Sequence, residues 1–173
     1  MAILYTQAFD CDQNEPGARK IAQEFDGFEV DLADAGLNSI ACEVSCYQAR
    51  KFWLPHLRTA NAADWWMVCI NFPRLEQPAT EKGLHVSEVM QDIRSKIYDK
   101  VKQVDGFRSA MFNCEAQDDL GDDDWITRLE KILSGEQPQF SGLILEKSLT
   151  VGRPIEPDVT AFSPGYLIYK PNV

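Results

Sequence analysis

Apolar and polar positions divide this chain into segments of two periods. Ile3–Phe9 (ILYTQAF) mixes β-branched and aromatic residues and predicts a first strand. Pro16, behind Asn14 and Glu15, suits the first turn of a helix. That helix places Ala18, Ile21, Ala22 and Phe25 on its inward face, and Gly27 is its expected stop. Phe28, Val30 and Leu32 alternate with Glu29 and Asp31, the pattern of a half-buried strand. The opening therefore predicts β–α–β.

Ser39–Leu57 carries two patterns at once. Ile40, Cys42, Val44 and Cys46 alternate as in a strand, whereas Val44, Tyr47, Lys51 and Leu54 have helical spacing. The expected compromise is a strand to about Cys46 and a short helix from about Gln48, which Pro55 ends or kinks. Trp65–Phe72 (WWMVCINF) is almost wholly apolar and predicts a strand buried on both faces, closed by Pro73. Arg74–Gly83 is polar, holds Pro78 and Gly83, and is expected to be a mobile loop.

Ser87 can cap a helix on which Val86, Val89, Met90, Ile93, Ile97 and Val101 recur at steps of three and four. Gly106 closes that segment and Phe107–Cys114 follows as a strand. Trp125, Ile126, Leu129, Ile132 and Leu133 predict another amphipathic helix, ended at Ser134-Gly135. Gly142–Leu145 reads as a short buried strand. Val159–Phe162 and Tyr166–Tyr169, around Ser163-Pro164-Gly165, read as a hairpin. Together these elements predict one globular domain, residues 1–173, of α+β (or α/β) class. Its core would be a mixed sheet of five to seven strands with about three packed helices, near 16–26, 87–103 and 123–134.

Composition agrees with a folded chain. At 173 residues with 45% hydrophobic side chains, folding can bury roughly 70% of the unfolded surface without a metal or disulfide. Charge narrows the partners. Lys and Arg number 17 against 27 Asp and Glu, a net of −10. That opposes binding to nucleic acid, which needs cations against phosphate, and to anionic membranes. It permits a basic protein partner, although acidity also serves solubility alone. The start, MAILYTQAFDCD, lacks a basic region and a long apolar core, and the longest apolar run is too short to cross a bilayer. A reducing, cytoplasmic location is expected, with the cysteines at 11, 42, 46, 69 and 114 as reduced thiols.

The densest chemistry lies in 107–125, FRSAMFNCEAQDDLGDDDW. Glu115, Asp118, Asp119, Asp122, Asp123 and Asp124 fall within ten positions. Acids at the start of the Trp125 helix cap it and meet its dipole, each worth roughly 0.3–1 kcal/mol when exposed. One or two would suffice. From Glu115 to Glu136 eight acids face only Arg128 and Lys131, a net of −6. The excess is expected to form a docking face for a basic partner, with capping and solubility as the plainer account.

A calcium loop of EF-hand type would need Gly at position 6. Counting from Asp118 or Asp122 puts Asp123 or Thr127 there. Cys42 and Cys46 have no second pair at zinc spacing and are expected on one strand face, in the core. No G-x-S-x-G, H-E-x-x-H, C-x-x-C or glycine-rich phosphate loop occurs. No catalytic residue, metal or cofactor is therefore expected. Of Trp53, Trp65, Trp66 and Trp125, most should be core. Trp65 and Trp66 point to opposite faces of their strand, so one of them can be partly exposed.

From the Ser87 helix to Leu149 the chain resembles small bacterial immunity proteins of polymorphic toxin systems. The similarity rests on a strand running into Asn113-Cys114-Glu115-Ala116, then Asp118-Asp119, the amphipathic stretch Trp125–Leu133, and Ser141-Gly142-Leu143-Ile144-Leu145-Glu146. The resemblance implies an intracellular inhibitor that binds and occludes a cognate toxin. Its acidic surface would take the place of phosphate in a basic cleft. Glu115, Asp118, Asp119, Asp122, Asp123 and Asp124 are the docking residues this reading selects, with Arg74–Gly83 as a second contact. Two alternatives stay open. One is a small-molecule enzyme or binding domain, using a pocket of Cys, His (His56 or His85) and carboxylates. The other is a structural component of a secretion or phage assembly.

Overall fold

The structure, a computed structural model, describes residues 4–33, 36–49, 65–73, 86–114, 134, 142–152 and 159–169. Strand β1 (Leu4–Asp10) leads to helix α1 (Glu15–Phe25). The two-residue strands β2 (Glu29–Val30) and β3 (Ile40–Ala41) follow, then β4 (Glu43–Ala49) and β5 (Trp65–Pro73). Helix α2 (Val86–Val101) precedes β6 (Ser109–Cys114) and β7 (Ile144–Glu146), and the chain closes on β8 (Val159–Ser163) and β9 (Tyr166–Tyr169).

Seven strands form one sheet in the order β4-β5-β1-β6-β7-β9-β8, and β2 pairs with β3 in a separate ribbon. The class is α+β. The expectation of a mixed sheet is corrected, because every pairing in the sheet is antiparallel. The reason lies in the connections. β5 and β6 both run antiparallel to β1, so they share a direction, and α2 connects them with β1 held between. β1 and β4 share a direction in the same way, with β5 between them. Two split β–α–β units thus interlock in the ferredoxin-like arrangement. Alternation of strands and helices is legible in the sequence, but the strand that inserts between two partners is not.

The opening runs β–α–β in the expected order, with β2 only two residues long. β2 does not join the large sheet, where both flanks of β1 are taken by β5 and β6. Gly27, at φ +69°, turns the chain out of α1. The carbonyl of Phe28 then accepts from the Cys42 N–H at 3.1 Å. The short helix expected from Gln48 starts as strand instead. Gln48 and Ala49 pair with Trp66 and Trp65, and the ladder on buried β5 outweighs the helical spacing of that stretch. Among the described residues there are two α-helices, and Lys147–Leu149 forms a 3₁₀ turn. The helix expected near 123–134 lies outside the described residues.

Apolar side chains fill both faces of the sheet. Phe9, Val68, Ile70, Phe72 and Phe112 meet Ala18, Ile21 and Phe25 of α1 and Ile93, Ile97 and Val101 of α2 in one cluster. These helical residues are inward as their spacing predicts. On the other face Ala8, Trp65, Met67, Cys69 and Met111 join Leu145 and Tyr169. β5 is buried on both sides, as its unbroken apolar run requires. The tail hairpin forms as expected, with Gly165 at φ +84° supplying the turn that side chains resist. No helix among the described residues is long and apolar enough to cross a membrane.

Candidate functional site

Glu115, Asp118, Asp119, Asp122, Asp123 and Asp124 all lie outside the described residues, as do Arg74–Gly83, His56, His85, Trp53 and Trp125. What the structure brings together is a different constellation, at one end of the sheet. The β1–α1 turn supplies Cys11, Asp12, Gln13 and Asn14. The α2–β6 turn supplies Gly106, Phe107 and Arg108, and Glu146 and Tyr166 come from β7 and β9. These residues line a pocket of about 470 Å³.

Its frame is set by hydrogen bonds. Asn14 caps α1 by accepting from the Gly17 N–H at 3.1 Å and donates to the Gly106 carbonyl at 2.9 Å. One side chain therefore ties the start of α1 to the turn after α2. The contact needs two glycines. A Cβ on Gly17 would stand 2.8 Å from the Gly106 oxygen, and Gly106 itself sits at φ +87°. Tyr166 stacks on Phe107 with ring centroids 4.1 Å apart. Its hydroxyl accepts from the Gly106 N–H and donates to the Phe107 carbonyl, each at 3.0 Å. Burial pushes the Tyr166 phenol up, so it keeps its proton and its donor role.

Beneath the pocket lies a charge pair. Asp10 is 1% exposed, and its Oδ2 accepts from Arg108 Nε at 3.0 Å and Nη2 at 2.5 Å. Its Oδ1 accepts from the Asp12 N–H at 2.9 Å. Both carboxylate oxygens are thus engaged, as a buried carboxylate requires. Asp12 is held at φ +50°, a conformation Asp tolerates better than most residues. Cys11 is buried, and desolvation, reinforced by the neighbouring Asp10 charge, pushes its thiol far up. It is a protonated core thiol and not an activated nucleophile. Cys42 and Cys46 are half-buried on the helix-covered face, where the sequence places them, and burial pushes both thiols up.

Charge on the described surface is unevenly satisfied. Arg19, Lys20, Lys96, Lys100, Lys102 and Arg108 each pair with a carboxylate of this same chain. Asp12, Asp26, Glu29, Asp31, Glu43 and Glu146 are exposed and have no ion-pair partner among the described residues, and the same holds for Arg94 and Lys147 alone among the cations. Trp65 is buried, while Trp66, on the opposite face, is half-exposed beneath the Arg19 guanidinium at 5.2 Å. Sequence reasoning found the start of α1 at Pro16 but missed its Asn14 cap and the pocket. Asp10 and Arg108 stand 98 positions apart, and no periodicity connects them. No protein-family model, curated protein or solved structure matches the chain.

Proposed function

We propose that this protein is a stoichiometric inhibitor of the immunity-protein kind, which docks an acidic surface on a basic toxin and occludes its active site. The observation that carries the reading is electrostatic. Most basic side chains of the described surface are engaged by carboxylates of their own chain, while six exposed carboxylates, against only Arg94 and Lys147 among exposed cations, have no ion-pair partner among the described residues, in a protein of net charge −10. Exposed ion pairs contribute little stability, about 0–1 kcal/mol each. Their effect here is to cancel most cationic spots and leave a predominantly negative field. Such a field speeds encounter with a cationic cleft and discriminates against acidic proteins. Glu115, Asp118, Asp119, Asp122, Asp123 and Asp124 are the proposed centre of the docking surface, because that segment holds the densest charge in the sequence.

One observation favours a second reading, a small-molecule enzyme or binding domain: a pocket does gather Cys11 with Asp12 and Glu146. The chemistry there argues for binding over covalent catalysis, since the thiol stays protonated. The deciding experiment uses the purified chain as bait in extract of its native host. The expected result is a basic protein bound one to one, whose own activity is lost in the complex. A captured protein that keeps full activity, or turnover of a small molecule by the chain alone, overturns the proposal.

A further inference from the structure

We infer that the pocket between the β1–α1 turn and the α2–β6 turn seats an arginine side chain of the basic partner. This inference rests on the inhibitor reading. A volume of about 470 Å³ is within the usual range for a ligand site and accepts a guanidinium with its methylene stem. The choice of a cation follows from which lining groups are already engaged. Arg108 gives Nε and Nη2 to Asp10, so its charge is matched from below. Asn14 uses its amide on Gly17 and Gly106, and the Tyr166 hydroxyl is engaged as both donor and acceptor. Two charged groups on the lining remain without an ion-pair partner among the described residues: Asp12 and Glu146. Both are acceptors, and both are exposed at the rim.

An anion entering here would meet two carboxylates, and the one cation on the lining is already paired. A guanidinium brings planar donors that carboxylates accept in pairs, and it desolvates more readily than an ammonium. The walls need no rearrangement to receive it, because the stacked Phe107–Tyr166 rings and the Asn14–Gly106 bond fix their shape.

The test is an amide-resolved NMR titration with N-acetylarginine amide. Its neutral isostere N-acetylcitrulline amide and inorganic phosphate serve as comparisons. The expected result is saturable shifts confined to the Asn14, Gly106, Arg108 and Glu146 amides with the arginine probe alone. In D12N/E146Q the same titration should be weaker by roughly tenfold or more. Both side chains are exposed and Asn accepts the backbone of Asp12, so the variant's unchanged amide dispersion confirms its fold. Equal shifts with citrulline, shifts driven by phosphate, or no localised response overturn the inference. The two proposals fail separately. A basic partner bound while these amides ignore arginine removes the pocket alone, whereas a saturable pocket without any basic partner removes the inhibitor reading.

Discussion

At the scale of single residues, the Asp10–Arg108 pair shows what a buried charge demands. Asp10 is nearly inaccessible while the Arg108 side chain is 30% exposed, so water screens only one partner. Truncating Arg108 leaves a carboxylate in the interior with one backbone donor. R108A is therefore expected to lose about 2–3 kcal/mol in urea unfolding, somewhat less than a fully buried pair would. The double variant D10N/R108M should lose less than its two single changes combined, by about 1–3 kcal/mol, because the penalty belongs to the pair. Strict additivity would mean that the two side chains do not interact.

Tyr98 gives a second test at this scale. It donates to the Gly142 carbonyl at 2.8 Å. Burial, opposed by the Arg94 charge, pushes its phenol up from 10.0 to about 12. The unfolded chain then releases this proton first as pH rises. The stabilisation is complete below about pH 10 and is lost as pH climbs through about 12. Y98F should cost about 1 kcal/mol at neutral pH, and its unfolding midpoint should fall less than the wild type's between those two values. Parallel midpoints would show that Tyr98 does not titrate with folding.

At the scale of elements, local pattern was a good guide and pairing was not. α1 and α2 carry their apolar residues at three- and four-residue steps, and the buried ones are those the spacing selects. The almost wholly apolar β5 is buried on both faces and the tail hairpin turns at Pro164-Gly165, as read from the sequence. Gln48 was misread because β4 has a buried neighbour whose ladder prevails over local spacing. β1 entering between β5 and β6 left no local trace at all. The pocket stayed hidden for the same reason, since four elements meet there from distant positions.

Gly17 tests how closely two of those elements approach. In an open helix, G17A would gain up to about 1 kcal/mol of helix propensity. Here the added methyl meets the Asn14 amide and stands 2.8 Å from the Gly106 carbonyl. G17A is expected to destabilise the protein by about 1–3 kcal/mol on thermal or urea unfolding. A stabilised variant would mean that the α1 start and the Gly106 turn are not packed together.

At the scale of the molecule, the fold does not name the function. A split β–α–β sheet carries many activities, and the reading rests on surface chemistry and the resemblance of residues 87–149. Charge is its physical substance: −10 in total, of which a net −6 falls between Glu115 and Glu136. The capture of Lys and Arg by neighbouring carboxylates was invisible in the sequence for Lys20 with Asp105 and Lys100 with Glu24, which meet only once α1 and α2 lie on the same sheet face. The structure thus adds a mechanism by which most cationic spots of the described surface are cancelled, with Arg94 and Lys147 the exposed exceptions.

The central claim is that surplus carboxylates meet a cationic surface on another protein. The direct measurement is the association rate of this chain with its captured partner across ionic strength, for the wild type and for D118K/D119K. Association should slow steeply with added salt in the wild type, by about tenfold or more across one decade of salt. The reversal should be slower at low salt and show a flatter dependence. A wild-type rate indifferent to salt, left unchanged by the reversal, would contradict the account.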